Sequence, residues 1–335
     1  MIPYRDIREV HLEISTLCNA QCPCCPRNFH GYPDNNGYPE LNFTLANAQQ
    51  IFLPEFLQQL TRIRINGNFG DIVMNPDGAS IVEYFRSVNN KVEIRISTNG
   101  SARDQDFWQR LAQANAVVLF ALDGMSDTHS LYRQNTNWHQ IIKNAKTFMA
   151  AGGHAVWRFI PFDHNRHQID ACQKLSQALG FKHFQLVDDG RDTGPVFNQK
   201  GKLTHILGNY TGEKEFTVLF HKKNSNLVML DDIMAESPLK KIISCEAKNN
   251  QSIYIAATGE IFPCCYTGFY PNTYGQGQFH QASNAQLQLL VAQNNALEYS
   301  LDKCIAWFEK VEASWKKPSF STGKLVVCNN VCGIN

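Results

Sequence analysis

Residues 9–25 read EVHLEISTLCNAQCPCC, a strand-like stretch that leads into four cysteines within eight positions. In its first half, the apolar residues Val10, Leu12 and Ile14 alternate with polar ones, which predicts a strand with one buried face. The cysteines begin where this strand is expected to end. A thiol cluster in this position belongs to a disulfide framework, a zinc site or an iron–sulfur site.

Strand-like and helix-like stretches alternate from residue 8 to about residue 188, which is the pattern of a parallel sheet. The six strand candidates are residues 9–15, 62–67, 92–100, 116–124, 154–162 and 183–189. The first helical stretch has a capping residue at Thr44 and an internal Pro54, which is expected to kink or split it. No GxGxxG motif follows the first strand, so a dinucleotide-binding fold is unsupported. The sequence therefore predicts an α/β fold in which residues 1–189 form a partial (β/α)6 TIM-like barrel.

The alternating pattern stops after residue 189. Residues 190–215 are rich in Gly, Thr and Asn, and they are predicted to form a linker. Residues 216–335 are predicted to form a small α+β domain with a hairpin at 252–265 and helices at 284–301 and 303–315. Six cysteines fall in this domain: Cys245, Cys264, Cys265, Cys304, Cys328 and Cys332.

Composition narrows the classes of function. The chain is 43% hydrophobic and 18% charged, with a formal net charge of +1, so its charge gives no pull toward nucleic acid or an anionic membrane. There is neither a signal-peptide pattern nor an apolar run of the roughly 18 residues that a spanning helix needs. We expect a soluble, cytoplasmic protein with no nucleic-acid or membrane partner. In a reducing compartment clustered thiols are metal ligands or catalysts more often than disulfides, and eleven is an odd number of cysteines.

The polar faces of the predicted strands point into the barrel, because the outer face must be apolar to receive the helices. These faces carry Glu13, Arg64, Glu93, Arg95 and Arg158. Two interpretations remain open: a mutually satisfied ion-pair layer at the barrel floor, or groups that bind a ligand.

The spacing Cys18-x3-Cys22-x2-Cys25 suits three ligands of a cubane [4Fe–4S] cluster and leaves the fourth iron open, whereas a closed zinc site takes four ligands. This motif at the end of the first strand resembles that of the radical S-adenosylmethionine (SAM) enzymes. The resemblance implies that the open iron binds SAM, which is reductively cleaved to a 5′-deoxyadenosyl radical that abstracts a hydrogen atom from the substrate. Because the sequence reads CPCC, either Cys24 or Cys25 is the third ligand, and the spacing favours Cys25.

Further segments resemble those that bind the cofactor in this family. GNFGD (67–71) resembles the turn that holds the methionine amino group, with Gly70 and with Asp71 in place of the usual glutamate. ISTNG (96–100) resembles the ribose-contacting segment, which implies Ser97 and Asn99 as partners of the hydroxyl groups. Arg133, downstream of ALDG (121–124), would then meet the methionine carboxylate.

GEIFPC (259–264) resembles the opening of the auxiliary-cluster modules called SPASM or twitch. The resemblance implies one auxiliary [4Fe–4S] cluster held by Cys245, Cys264, Cys328 and Cys332, and thus two clusters in all. Cys304 replaces one of the last two or acts separately, and a zinc site with four cysteines is the alternative. Cys172 and Cys265 are expected to be buried apolar thiols.

Relatives with such modules modify peptides or oxidise small alcohols, which implies a peptide, protein or small-molecule substrate. The expected product is a cross-linked, epimerised or oxidised one, and the electron donor is a reductase such as flavodoxin or ferredoxin. Because the cluster loop begins at residue 18, no N-terminal leader-binding domain is expected. A dehydrogenase of a small alcohol or aminosugar is the alternative enzyme, and an iron–sulfur or zinc-stabilised binding protein is the non-enzymatic one. No catalytic residue is assigned.

Overall fold

The computed structural model describes residues 2–33, 39–187, 194–208, 239–240, 242–271 and 277–334. The strands are β1 (Glu9–Leu12), β2 (Asn28–Phe29), β3 (Tyr32–Pro33), β4 (Arg62–Ile65), β5 (Glu93–Thr98), β6 (Val117–Ala121), β7 (His154–Phe159), β8 (His183–Leu186), β9 (Pro195–Phe197), β10 (Leu203–Ile206), β11 (Ile242–Ile243), β12 (Ser252–Ile255), β13 (Ile261–Phe262) and β14 (Gly333–Ile334). The α-helices are α1 (Leu45–Ile51), α2 (Pro54–Gln59), α3 (Gly78–Val88), α4 (Gln105–Gln113), α5 (His129–Tyr132), α6 (Trp138–Ala150), α7 (Ile169–Leu179), α8 (Glu246–Asn249), α9 (Gly277–Gln288), α10 (Leu301–Ile305), α11 (Phe308–Ser314) and α12 (Val326–Cys332). Short 3₁₀ helices span Tyr4–Asp6, Ile72–Met74, Arg166–Gln168 and Thr267–Phe269.

An eight-stranded sheet organises the molecule, in the order β13–β12–β1–β4–β5–β6–β7–β8. Strands β1 and β4 to β8 run parallel, and helices lie between them in the chain. These are the six strands that the sequence predicts, so the predicted partial-barrel α/β class is confirmed. Every strand of this parallel set ends at the same edge of the sheet, which is where loop side chains can meet.

The hairpin β12–β13 continues this main sheet. Strand β12 pairs in parallel with β1, with Glu9 opposite Ser252 and Leu12 opposite Ile255, and β13 is antiparallel to β12. The hairpin that was predicted within residues 216–335 therefore completes the barrel sheet next to β1. The predicted boundary between residues 215 and 216 lies outside the described residues, and the division into two domains stays a prediction.

Two local predictions are confirmed in the segment before β4. The Thr44 side chain caps α1 by accepting a hydrogen bond from the backbone amide of Asn47. Pro54 divides the predicted helix, because α1 ends at Ile51 and α2 begins at Pro54. Proline has no backbone amide to donate to the preceding turn, but it fits the first turn of a new helix.

Two other predictions are wrong in part. Within the predicted linker, β9 and β10 form an antiparallel pair, because the apolar residues Val196 and Leu207 pack in a buried cluster beside Cys22. The predicted helix 284–301 ends at Gln288. Its second half instead bonds to the β12–β13 hairpin, where the amide of Ile261 donates to the carbonyl oxygen of Asn294 at 2.7 Å.

An ion-pair layer closes the start of the parallel strands. Arg62 bonds to Glu93 at 2.6 Å and to Glu9 at 3.1 Å, and Arg64 bonds to Glu9 at 2.5 Å. Arg95 lies 3.5 Å from Glu93. For these residues the floor interpretation is the right one. Within the ranges that the structure covers, no helix is both long and apolar enough to cross a bilayer.

Candidate active site

A cavity of about 450 Å³ opens at the ends of the parallel strands, opposite the ion-pair layer. Four of the parallel strands contribute side chains where they end: Asn66 after β4, Asn99 after β5, Ala121 at the end of β6 and Arg158 in β7. The loop after β1 contributes four cysteines, Cys18, Cys22, Cys24 and Cys25. The predicted cofactor residues Gly70, Asp71, Ser97, Asn99 and Arg133 all line this cavity. The fold thus brings together residues that are distant in sequence.

The cysteine loop is folded into tight turns. The amide of Cys25 donates to the carbonyl oxygen of Cys22 at 3.1 Å, and the amide of Asn28 donates to that of Cys25 at 2.9 Å. Burial raises the pKa of Cys18, and the charges of Asp71, Cys25 and Cys22 raise it further. Cys24 and Cys25 both line the cavity. The choice between Cys24 and Cys25 as the third ligand therefore stays a prediction from the spacing.

Asp71 orients the turn after β5. Its Oδ1 accepts hydrogen bonds from the Thr98 hydroxyl at 2.6 Å and from the amide of Val73 at 3.1 Å. Its Oδ2 accepts from the backbone and side-chain amides of Asn99, at 2.7 and 2.9 Å. Burial raises the pKa of Asp71, against the lowering effect of these bonds. Since both oxygens are bonded within the protein, Asp71 is built to position Asn99 in the cavity wall.

Asn99 and Arg133 each extend to the cysteine loop. The Asn99 Nδ2 donates to Asn19 Oδ1 at 2.9 Å and lies 3.7 Å from the Cys18 sulfur. The Arg133 Nη1 lies 3.6 Å from the Cys22 sulfur, and its Nε donates to the buried Asp123 at 2.6 Å. Hydrogen-bond donors beside thiolates stabilise the negative charge of cluster ligands.

Gly70 lies against the segment that leads into the cysteine loop. A Cβ added at Gly70 would be 1.9 Å from the carbonyl oxygen of Ser15, so only glycine fits there. The next amide, that of Asp71, donates to the carbonyl oxygen of Leu17 at 2.9 Å. This close approach ties the loop after β4 to the cysteine loop.

The C-terminal half adds two side chains to the cavity wall that the sequence does not predict, Tyr266 and Phe269. Arg158, which the strand pattern places on the inner face of the barrel, also lines the cavity. Tyr266 lies two positions after Cys264, and that proximity was the available signal. Glu13 lies behind the wall, where its carboxylate accepts hydrogen bonds from backbone amides of the loop after β4 and so holds this loop.

The predicted C-terminal set, Cys245, Cys264, Cys328 and Cys332, lines a second pocket, together with Tyr266 and mainly apolar side chains such as Trp315. A hydrogen bond between the thiols of Cys245 and Cys332 lowers the pKa of Cys245 to about 6 and raises that of Cys332. Burial raises the pKa of Cys264 and of Cys328.

The remaining cysteines lie elsewhere. Cys304 is fully buried in the hydrophobic core, with its sulfur 3.8 Å from the carbonyl oxygen of Tyr299, so the structure separates it from the second pocket. Cys172 is also fully buried in that core, as expected for an apolar thiol, whereas Cys265 is only partly buried and packs against the core.

Both cysteine sets suit iron–sulfur clusters, whose usual ligands are thiolates. The first set adjoins a cavity with room for a further ligand, and the second is surrounded mainly by apolar groups. In the part of the chain that the structure describes, no three His, Cys, Asp or Glu side chains converge tightly enough to hold a single metal ion.

Residues 12–171 match the family model described as the Radical SAM superfamily. This segment contains the cysteine loop and most of the parallel strands whose ends form the cavity. This segment, 160 of the 335 residues, is therefore identified as a radical SAM domain. No curated protein matches it.

Solved structures of similar fold include SuiB of Streptococcus suis bound to precursor peptide SuiA, at 14% identity and a TM-score of 0.59 over 98% of this chain and 73% of that one. The structure of SuiB bound to S-adenosylmethionine aligns at 14% identity with a TM-score of 0.54, over 96% and 76% of the two chains. Native anSMEcpe with bound AdoMet and Cp18Cys peptide aligns at 14% identity with a TM-score of 0.55, over 97% and 88%. At such identities these structures establish the shared fold.

Proposed function

We propose that this chain is a radical SAM enzyme that modifies a peptide or protein side chain and uses one auxiliary [4Fe–4S] cluster. One observation carries the proposal: Tyr266 lines both the cavity beside the first cysteine loop and the pocket of the second cysteine set. A substrate held against Tyr266 would therefore lie between the two sets. This position suits a reaction in which the substrate loses a hydrogen atom toward the first cysteine set and an electron toward the second.

The first site would hold a [4Fe–4S] cluster through Cys18, Cys22 and Cys25. With SAM bound and one electron supplied by a reductase, this site would provide a 5′-deoxyadenosyl radical for hydrogen-atom abstraction from the substrate. The chain's own groups bind and orient the cofactor. Asn99 and Ser97 face the cavity as polar partners, and Gly70 allows the loop to pack closely.

Charged groups of the same cavity add to this role. Arg158 and Arg133, the latter paired with Asp123, bring two guanidinium groups to its wall. A carboxylate, such as that of the cofactor's methionine, is a suitable partner for such guanidinium groups. Asp71 acts indirectly, because its carboxylate accepts hydrogen bonds from Asn99 and holds that residue in place.

The second site would hold a closed cluster through Cys245, Cys264, Cys328 and Cys332. With four protein ligands, its irons offer no open position, so its role is to accept an electron or to stiffen the fold. The mainly apolar surroundings of the pocket support a cluster shielded from water.

The shared fold with SuiB and anSMEcpe, whose structures contain peptides, supports a peptide or protein substrate. The product would be a cross-linked, epimerised or oxidised side chain. We further propose a cytoplasmic location and reduction of the first cluster by flavodoxin or ferredoxin.

Anaerobic reconstitution followed by incubation with SAM and dithionite tests the proposal. We expect about eight irons per chain and formation of 5′-deoxyadenosine. Replacing Cys18, Cys22 and Cys25 together by Ala should leave about four irons and abolish 5′-deoxyadenosine. Cys304→Ala is the matched control, because Cys304 is a buried cysteine outside both sets. Stoichiometric zinc, or an intact protein with full iron and no SAM cleavage, would contradict the proposal.

A further inference from the structure

The loop of residues 66–70, here called the β4 loop, forms one wall of the cavity. The amide of Phe69 donates to Glu13 Oε1 at 2.6 Å, and the amide of Gly70 donates to the same oxygen at 3.3 Å. A Cβ added at Gly67 would lie 2.7 Å from this oxygen, so the close approach requires glycine. The carboxylate of Glu13 therefore fixes the backbone of this wall.

The other oxygen of Glu13 is bound from the C-terminal half. The hydroxyl of Tyr254, in β12, donates to Glu13 Oε2 at 2.8 Å. Both side chains are buried, with exposed fractions of 1% for Glu13 and 0% for Tyr254. The β12 strand is brought beside Glu13 by its parallel pairing with β1.

Two more contacts join the β4 loop to the C-terminal half. The side-chain amide of Asn68 donates to the carbonyl oxygen of Cys265 at 2.8 Å. The ring of Phe69 meets that of Phe269 edge to face, with 5.7 Å between the ring centroids. Cys265 and Phe269 belong to the segment that follows Cys264 of the second cysteine set.

A purely structural role explains these contacts poorly. Burying a carboxylate is costly unless hydrogen bonds compensate, and apolar side chains would fill the same space at lower cost. The bonds of Glu13 go to a loop that lines the cavity and to a hydroxyl from the other half of the chain. An arrangement of this kind fixes the geometry of a binding wall.

We propose that Glu13 and Tyr254 form a positioning pair through which the C-terminal half sets the conformation of the β4 loop, and with it the affinity of the cavity for SAM. The proposal rests on the proposed function, since it takes SAM as the ligand. It makes the C-terminal half a structural part of the cofactor site, in addition to any auxiliary cluster there.

The test measures SAM binding to anaerobically reconstituted protein by equilibrium dialysis. Tyr254→Phe removes one hydroxyl, and Asn68→Ala removes the second contact. Each should weaken SAM affinity by about fivefold or more, as expected for the loss of one hydrogen bond, with iron content unchanged. Tyr84→Phe is the matched control, because the Tyr84 hydroxyl donates a bond of the same 2.8 Å length to the carbonyl oxygen of Phe52, away from the cavity.

Glu13→Gln adds a rescue test. A glutamine retains an oxygen for the amides of Phe69 and Gly70 and an NH₂ group toward Tyr254, so it should bind SAM better than Glu13→Ala does. Wild-type affinity in Tyr254→Phe and Asn68→Ala, at full iron content, would overturn the positioning role while leaving the proposed function intact. A wild-type protein that carries its clusters but binds no SAM would overturn both. If Glu13→Ala does not fold, the Tyr254 and Asn68 variants still decide the question.

Discussion

Nitrogen groups support the first cysteine loop from two sides, Asn99 beside Cys18 and Arg133 beside Cys22. Neither contact follows from sequence spacing, because the partners are 81 and 111 residues apart. The sequence predicts a cofactor-binding role for Asn99 from its place after a strand, and for Arg133 from its place downstream of an ALDG turn. The contact of each residue with a cysteine sulfur depends on the folded barrel.

The ligand choice between neighbouring cysteines leads to a first prediction. The spacing Cys18-x3-Cys22-x2-Cys25 favours Cys25 as the third ligand. Cys25→Ala should therefore lose about four irons, whereas Cys24→Ala should keep about eight. Iron and sulfide analysis of the two reconstituted variants measures this directly, and the reverse result would assign the role to Cys24.

Asp71 gives a second prediction. Asp71→Asn turns one acceptor oxygen into an NH₂ group that faces the Thr98 hydroxyl or the Asn99 amides, which are donors in the present arrangement. Such a mismatch costs about 1–3 kcal/mol of stability and should shift Asn99. SAM affinity should fall while the iron content stays that of wild type. Unchanged affinity would remove Asp71 from the cofactor site.

Glu13 gives a third prediction, on pH. Burial raises its pKa from 4.5 to about 7, so the folded protein binds a proton more tightly than the unfolded chain does. Its contribution to stability is full below about pH 4.5 and is lost as the pH rises to about 7, a change of up to about 3 kcal/mol. Glu13→Gln should lack this slope.

The neighbouring His11 acts in the opposite direction. Burial lowers the pKa of His11 to about 4, so its share of the stability grows as the pH rises toward 6.5. Its ring meets the Tyr254 ring edge to face at 5.1 Å. Since both proteins contain His11 and Tyr254, the difference in free energy of unfolding between wild type and Glu13→Gln isolates Glu13. A difference that does not vary between pH 4.5 and 7 would contradict the assignment.

At the scale of the elements, the β4 loop requires glycine at position 70. Gly70→Ala would place its Cβ 1.9 Å from the carbonyl oxygen of Ser15, and backbone atoms cannot yield as a side chain can. We expect poor cluster loading and a lower melting temperature. Gly194→Ala is the control, because its Cβ would meet the His30 ring at an ordinary 3.5 Å. Equal iron content and equal melting temperatures in the two variants would refute this account.

The strands and the cysteine motif could be predicted because both are local patterns. The period-two alternation around Ile63 and Ile94 marks buried strands, and the loop spacing marks the thiol site. The helix 284–301 could not be predicted correctly, because Asn294 and Asn295 bond to the β12–β13 hairpin instead of continuing a helix. Such long-range bonds leave no signal in a single sequence.

At the scale of the whole molecule, the cavity also depends on long-range contacts that a single sequence does not reveal. The pair Glu13 and Tyr254 is separated by 241 residues and depends on the parallel register of β12 on β1. The hairpin itself was predicted, but its partner strand was not. The C-terminal wall of the cavity, with Tyr266 and Phe269, was missed for this reason.

A final prediction separates the two cysteine sets. Replacing Cys245 and Cys264 by Ala should leave about four irons, because one closed site is lost. SAM cleavage should persist at saturating SAM, with weaker binding because Cys264 adjoins the segment that contacts Asn68. Modification of the true substrate should fail. Circular dichroism checks that the variant folds, and normal substrate turnover in a folded variant would exclude the second set from the reaction.

The pairing of β12 with β1 also has a consequence for synthesis on the ribosome. Strand β1 is made first, pairs early with β4, and receives its other neighbour only after Ser252 to Ile255 have emerged. Until then the β1 edge presents unpaired backbone groups to other chains, which is a hazard for aggregation. A nascent chain from which Ser252 to Ile255 have not yet emerged would therefore need protection by a chaperone, and solubility would be gained only when the late hairpin covers this edge.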